Sequence, residues 1–160
     1  LINARSETVA DKPSFRSAFA KRRAIVPVDG YYEWYQPQVD DVASAGPKPA
    51  KQPFFLSRDG GLNLAGIYEW WRDPSEDWRL TFSILTTSAL GAEGIIHDRA
   101  PLHVPSDLVD EWLSPQHPWV GPLDVLVNAT PGFATAWPVS TRVNAVRNNG
   151  PDLIEPLAAT

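Results

Sequence analysis

Sixteen prolines in 160 residues limit what this chain can build more than any other feature. Each proline fixes φ and removes a backbone donor, so it must stand at the end of a helix, on a sheet edge or at a bulge. They are spread along the chain, which excludes a long-helix architecture and predicts short elements joined by many turns. Hydrophobic residues at 43% and charged residues at 21% are ordinary for a globular protein, and the length suits one domain over residues 1–160. No apolar run reaches the ~18 residues of a membrane span. Zero cysteines exclude a disulfide framework, a thiolate metal site and a cysteine nucleophile within these residues. The first residue is Leu1 and there is no methionine, so the chain reads as cut at its N-terminus. No basic and apolar leader opens it, which leads us to expect a cytoplasmic protein.

Phe15, Ala18 and Phe19 share a face in residues 14–23, predicting a helix with Ser14 as its cap. Residues 24–35 have strand character, bent or bulged around Pro27 and Asp29-Gly30. Residues 36–53 are polar and rich in proline and alanine, predicting a mobile loop. Residues 54–57 and 62–71 flank Arg58-Asp59-Gly60-Gly61, a hairpin signal. A second turn over 72–75 leads into a strand over 78–87. Pro105-Ser106 opens a helix over 107–113 with acids in its first turn. Residues 124–129 read as a short helix or strand, and 139–146 as a last strand. Strands dominate without regular βα alternation, so the expected class is α+β with a curved, mostly antiparallel sheet.

Few residues are placed to carry chemistry. Glu33 stands among Tyr31, Tyr32, Trp34 and Tyr35. A carboxyl among aromatics loses hydration, which raises its pKa and suits it to general-acid work. Strand alternation puts it on one face with Tyr31 and Tyr35; the competing account is a solvated carboxylate beside aromatic stems. Glu69 has the same claim, because Gly30-Tyr-Tyr-Glu-Trp34 and Gly66-Ile-Tyr-Glu-Trp70 are near-repeats. His97, followed by Asp98 and Arg99, is either a proton-transfer group or half of a surface ion pair. His103 and His117 lack a comparable set of polar neighbours. No metal-ligand spacing, phosphate loop, dinucleotide fingerprint or nucleophile elbow occurs, so neither metal nor cofactor is expected. A net charge of −5 argues against indiscriminate nucleic-acid binding. The first 35 residues nonetheless hold six basic groups against four acidic ones, including Lys21-Arg22-Arg23. That cluster either complements a helix C-terminus or contacts phosphate. Asn3 to Thr8, taken alone, is a polar frayed terminus.

Several segments together resemble the SOS response-associated peptidase family, the SRAP domain. They are Asn3-Ala-Arg-Ser-Glu-Thr8, Asp29-Gly-Tyr-Tyr-Glu-Trp34, Ala65-Gly-Ile-Tyr-Glu-Trp70, Ile96-His-Asp-Arg99 with Pro101, and Val139-Ser140 with Val143-Asn144. Their order is the family's, and they cover most of the chain. The resemblance implies an α+β domain with a barrel-like β core and a basic groove that takes abasic sites in single-stranded DNA. It implies a covalent crosslink in which the α-amine and thiol of an N-terminal cysteine condense with the open sugar aldehyde to a thiazolidine. The setting it implies is DNA damage and the SOS response, with a peptidase activity that removes the leader ahead of that cysteine. By motif match Asn3 positions the reacting centre, Glu33 is the catalytic acid and His97 the second acid–base group. Arg5 and Arg99 match phosphate contacts, with Arg22 and Arg23 as further candidates from the basic cluster. The family's opening Met-Cys-Gly-Arg is absent from these residues, and its His-Asp-Arg-Met-Pro stands here as His97-Asp-Arg-Ala-Pro101. A monomer is expected. The alternatives are a peptidase acting on other proteins and a non-catalytic single-strand-binding module.

Overall fold

The computed structural model of the chain describes residues 1–37, 49–115, 123–130, 132 and 134–158. Three long antiparallel strands make the frame: β2 (Arg23–Tyr35), β3 (Gln52–Arg72) and β4 (Trp78–Ser88). Short strands extend it. β1 (Asn3–Arg5) adds parallel to β4, β5 (Arg99–Pro101) pairs antiparallel with the end of β4, and β6 (Thr135–Pro138) with the start of β3. Among the described residues this six-stranded sheet does not close on itself, so the class is α+β with an open sheet. The α-helices are short: α1 (Arg16–Lys21), α2 (Gly91–Ile96), α3 (Val109–Leu113) and α4 (Asp124–Ala129). No helix among the described residues is long and apolar enough to cross a membrane.

Two apolar clusters hold the sheet. The larger joins Phe15 and Phe19 of the α1 region to Ile67, Leu85, Trp112 and Leu126. Trp112 is fully buried there and donates its indole N–H to the Ala24 carbonyl at 2.8 Å. The smaller joins Leu56, Ile96 and Ala134, with Tyr31, Tyr35 and Phe54 packed around it. It glues α2 to β2, β3 and β6.

Several expectations are corrected. Residues 58–61 do not reverse the chain. β3 runs through them as one strand, and both of its halves pair with β2, across a register shift between Val28 and Gly30. Gly60 and Gly61, with φ of 85° and 78°, step the strand outward opposite the matching break in β2. The reversal lies in the β3–β4 turn, where the Asp73 carboxylate accepts the backbone N–H of Ser75 at 2.9 Å and of Asp77 at 3.1 Å. The last strand is β6, not 139–146; Ser140 accepts the Arg142 backbone N–H at 3.3 Å and closes a 3₁₀ turn over Thr141–Asn144. The helix expected over 107–113 forms as a 3₁₀ turn, Ser106–Leu108, running into α3. The expected loop over 36–53 falls mostly on residues outside the described ones, and its last two residues already belong to β3. The polar start of the chain is not frayed: Asn3–Arg5 is in the sheet, and Ser83 donates its hydroxyl to the Leu1 carbonyl at 2.6 Å.

Candidate active site

The half of β2 beyond the register shift carries Glu33, opposite Phe54 of β3. Side chains alternate as the strand period requires. Tyr31 and Tyr35 pack on the smaller core, while the Tyr32 ring lies tilted against Phe55 with ring centroids 5.1 Å apart. Trp34 donates its indole N–H to Asn144 Oδ1 at 2.8 Å. Glu33, at an even spacing from Tyr31 and Tyr35, is half-buried on their side. Burial pushes its carboxyl above the ordinary value; the charge of His97 is the strongest opposing influence, followed by the Trp34 backbone N–H. Asp98 pushes the same way as burial, and Lys51 opposes it. Glu33 and His97 therefore sense each other across two separate elements.

His97 terminates α2, donating its backbone N–H to the Glu93 carbonyl at 3.0 Å. Its Nδ1 lies 3.0 Å from the Arg99 backbone nitrogen and 3.2 Å from the Arg99 carbonyl oxygen; with the proton on Nδ1, donated to that carbonyl, Nε2 is the basic nitrogen of the neutral ring. Asp98 Oδ1 lies 3.2 Å from the same Nδ1 and accepts a hydrogen bond from it when the ring is charged.

Asn3, Arg5 and Arg99 gather around the end of β4. Asn3 and Arg5 lie in register with Ile84 and Thr86, and both are exposed. Asn3 makes no side-chain hydrogen bond among the described residues. The Arg99 guanidinium meets both oxygens of Glu7, at 2.6 and 3.0 Å, and also donates to the Thr86 carbonyl at 2.6 Å and hydroxyl at 3.1 Å. The Arg99 hydrogen bond holds the Glu7 carboxyl below its ordinary value against a smaller effect of burial. A bidentate carboxylate occupies the fork in the way a phosphate would.

The basic cluster divides. Arg23 is buried and donates to four carbonyls: Trp112 at 2.6 Å, Phe19 at 3.0 Å, Ala20 at 3.1 Å and Ser114 at 2.6 Å. It closes the C-terminal end of α1 and lies over the Trp112 ring at 5.7 Å, contacts that give it a structural role. Arg22 bonds the Glu69 carboxylate, the Ser17 hydroxyl and the Tyr68 carbonyl. Glu69 is thus an exposed partner of Arg22, fifteen residues along β3 from Phe54, and the resemblance to the Glu33 motif ends there. His103 is buried and its pKa pushed down to about 4, first by burial and then by Arg58. His117 lies outside the described residues. Among the described residues no group of three His, Asp or Glu side chains could hold a metal. Ala100, standing where the family motif has methionine, is buried on β5 opposite Thr87.

One residue of this region escaped the sequence reading. Glu93, one turn before His97 on α2, is buried, and burial pushes its carboxyl up. Burial, Glu93 and Glu33 in turn push the Tyr31 phenol up. The i,i+4 spacing of Glu93 and His97 is a usable signal only once a helix is assigned to Gly91–Ile96.

A profile of the SOS response associated peptidase (SRAP) family matches residues 1–146. The abasic site processing protein YoqW of Bacillus subtilis (strain 168) is 35% identical over 156 residues, which are 97% of this chain and 66% of that protein. The abasic site processing protein YedK of Escherichia coli (strain K12) is 32% identical over 163 residues, 98% of this chain and 68% of its own length. A protein of Bacteroides thetaiotaomicron solved by X-ray crystallography superposes with a TM-score of 0.75 at 25% identity, over 97% of this chain and 65% of that one. The chain thus spans about two thirds of the length of these proteins.

Proposed function

The chain belongs to the SOS response-associated peptidase family, and from that premise we propose that it acts at abasic sites in single-stranded DNA, with Glu33 and His97 as its acid–base pair. An abasic deoxyribose is in equilibrium with its open aldehyde. Attack of an α-amine on that aldehyde forms a C–N bond and a carbinolamine; loss of water gives an imine, and addition of a neighbouring thiol closes a thiazolidine. Glu33 supplies the proton to the ring oxygen as the sugar opens, and to the hydroxyl that leaves as water. His97 takes the proton from the attacking amine through Nε2. These 160 residues hold no cysteine, so in this reading the amine and thiol come from chain outside them, and the peptidase activity is the removal of residues ahead of that cysteine. Asn3 positions the reacting centre, and Arg5 and Arg99 contact phosphates beside the lesion, Arg99 exchanging Glu7 for phosphate.

The observation that carries this reading is the half-buried carboxyl within electrostatic reach of a histidine whose ring is held at Nδ1 by the Arg99 backbone. Burial disfavours the charged carboxylate and so favours the form that can give a proton. The names of YoqW and YedK support the substrate class.

The test is a denaturing gel after incubation with a labelled abasic single strand, with and without borohydride. It compares the 160-residue chain with one that carries an N-terminal cysteine segment ahead of Leu1. The cysteine-bearing chain should give a borohydride-independent adduct that Glu33→Gln abolishes, and the 160 residues alone should give none. An adduct from the 160 residues without borohydride would overturn the nucleophile; no adduct from the cysteine-bearing chain would overturn the function.

A further inference from the structure

Glu93 is a buried carboxyl that the proposed chemistry does not use. Only 4% of its surface is exposed. Its Oε1 accepts the Ala134 backbone N–H at 3.3 Å, while Oε2 is buried with no hydrogen-bond partner among the described residues. An ionised carboxylate with an orphaned oxygen at that depth is heavily penalised, so the site tolerates the neutral acid, and burial holds this carboxyl above its ordinary value. Tyr31, which Glu93 and Glu33 both push up, links this carboxyl to Glu33. α2 packs on β2, β5 and β6, Leu56, Ile96 and Ala134 make the apolar wall, and Tyr31 lies against it. The charged and titratable groups that share the compartment are Tyr31 and Glu33 from β2, His97 and Asp98 after α2, and Lys51 ahead of β3.

Resting on the reading of Glu33 and His97 as the acid–base pair, we propose that Glu93 is a positioning residue of that pair: it pins the helix that ends on His97 to β6 and closes, behind Tyr31, the compartment that shields Glu33 from water. At six residues α2 is too short to hold its place alone, and it has no side-chain cap at its N-terminus. The Glu93–Ala134 bond fixes it to the residue that leads into β6, one turn before His97. Of the two carboxyls, Glu33 is the one on which the His97 charge acts. An ionised Glu93 puts a second negative charge beside Tyr31 and draws water into the same space.

Two variants of the 160-residue chain separate this role from a merely structural one. Glu93→Gln keeps the volume and an acceptor for Ala134 but cannot ionise; Glu93→Ala removes both. Carboxyl titration by ¹³C NMR should show the Glu33 midpoint retained in Glu93→Gln and lowered toward the ordinary carboxylate range in Glu93→Ala, as water reaches it. A loss of packing without positioning would lower Tm and leave that midpoint where it is. The second readout is Tm against pH. A carboxyl raised in the folded state favours folding below its unfolded value and loses that contribution as pH rises through its folded value. Between about pH 5 and pH 8 the wild-type Tm should therefore drop by a few degrees relative to that of Glu93→Gln. The comparison cancels the opposite trend from His103, which is present in both proteins. An unchanged Glu33 midpoint in folded Glu93→Ala, or parallel Tm–pH curves for wild type and Glu93→Gln, overturns the proposal. Where Glu93→Ala does not fold, the Tm–pH comparison decides. If both readouts behave as expected while Glu33→Gln leaves the abasic adduct unchanged, the functional reading falls and the coupling of Glu93 to Glu33 stands.

Discussion

The arginines of this chain differ by what their forks hold, and that difference sorts structural from binding roles. Arg23 is enclosed by four carbonyls, which lose their donor together if it is cut back. Arg23→Ala should cost about 3 kcal/mol in a urea titration, since buried acceptors left unsatisfied are the expensive case. Arg5 is exposed on β1, so Arg5→Ala should hold stability within about 0.5 kcal/mol and weaken single-strand binding. Equal effects of the two variants on stability would reverse this assignment. Arg99 lies between the two cases because Glu7 occupies its fork. Glu7→Gln removes the competing charge and should tighten binding to a single-stranded oligonucleotide, read by fluorescence anisotropy at fixed salt; unchanged affinity would mean that Arg99 stays out of the interface. The sign with pH follows from the lowered Glu7 carboxyl. Its pairing with Arg99 stabilises the fold above the ordinary value of 4.5 and is lost as pH falls through the folded value.

At the scale of elements, the paired interruptions in β2 and β3 set where Glu33 points. Gly30 resumes the ladder after the register shift, and a Cβ there would lie 2.4 Å from Phe55 Cζ and 2.5 Å from the Leu56 carbonyl oxygen. Gly30→Ala should thus lower stability by about 1–3 kcal/mol through overpacking, and a Tm equal to the parent's would show that the strand yields freely. These interruptions also explain how far the sequence could be read. Local signals worked in part: the Phe15–Phe19 face predicted α1, which is shorter than 14–23 and starts after Phe15 without a Ser14 cap, and the bulge near Asp29-Gly30 and the turn after Arg72 fell where expected. Arg58-Asp59-Gly60-Gly61 can reverse a chain or step it sideways, and the choice was made by a break in another strand, which no local window contains. The apolar residues of 139–146 imitated a strand, but the Ser140 hydroxyl offered the backbone a tighter turn. α2 was invisible because it is six residues long and includes two glycines. For the site, the aromatic setting of Glu33 was legible from strand alternation, whereas the proposed pairing with His97 was suggested only by the family resemblance. The burial of Glu93 was not legible, since it depends on β6 docking beside β3.

Over the whole molecule, a net charge of −5 must be reconciled with the polyanionic partner of the proposed function. The balance is uneven: residues 36–125 hold six basic groups against thirteen acidic ones, so attraction to DNA cannot come from an overall field and has to be local. Two of the candidate cations are already committed elsewhere, Arg23 to buried carbonyls and Arg22 to Glu69. Arg5 and Arg99 remain as the phosphate contacts of the proposed interface. Each phosphate neutralised on a single strand contributes about 0.7 to the log–log dependence of affinity on salt, so two contacts predict a slope of about −1.4. Binding should accordingly be weak and only mildly salt-dependent, and a duplex competitor should displace the single strand poorly. Arg99→Ala should bring the slope to about −0.7, and folded Arg23→Ala should leave it where it was. The measurement is a titration of a labelled abasic strand at several salt concentrations, with an intact strand alongside to separate phosphate contacts from recognition of the lesion. A slope of about −3 or steeper would mean that the acidic middle of the chain hides a broader basic face, and the two-arginine interface would have to be abandoned.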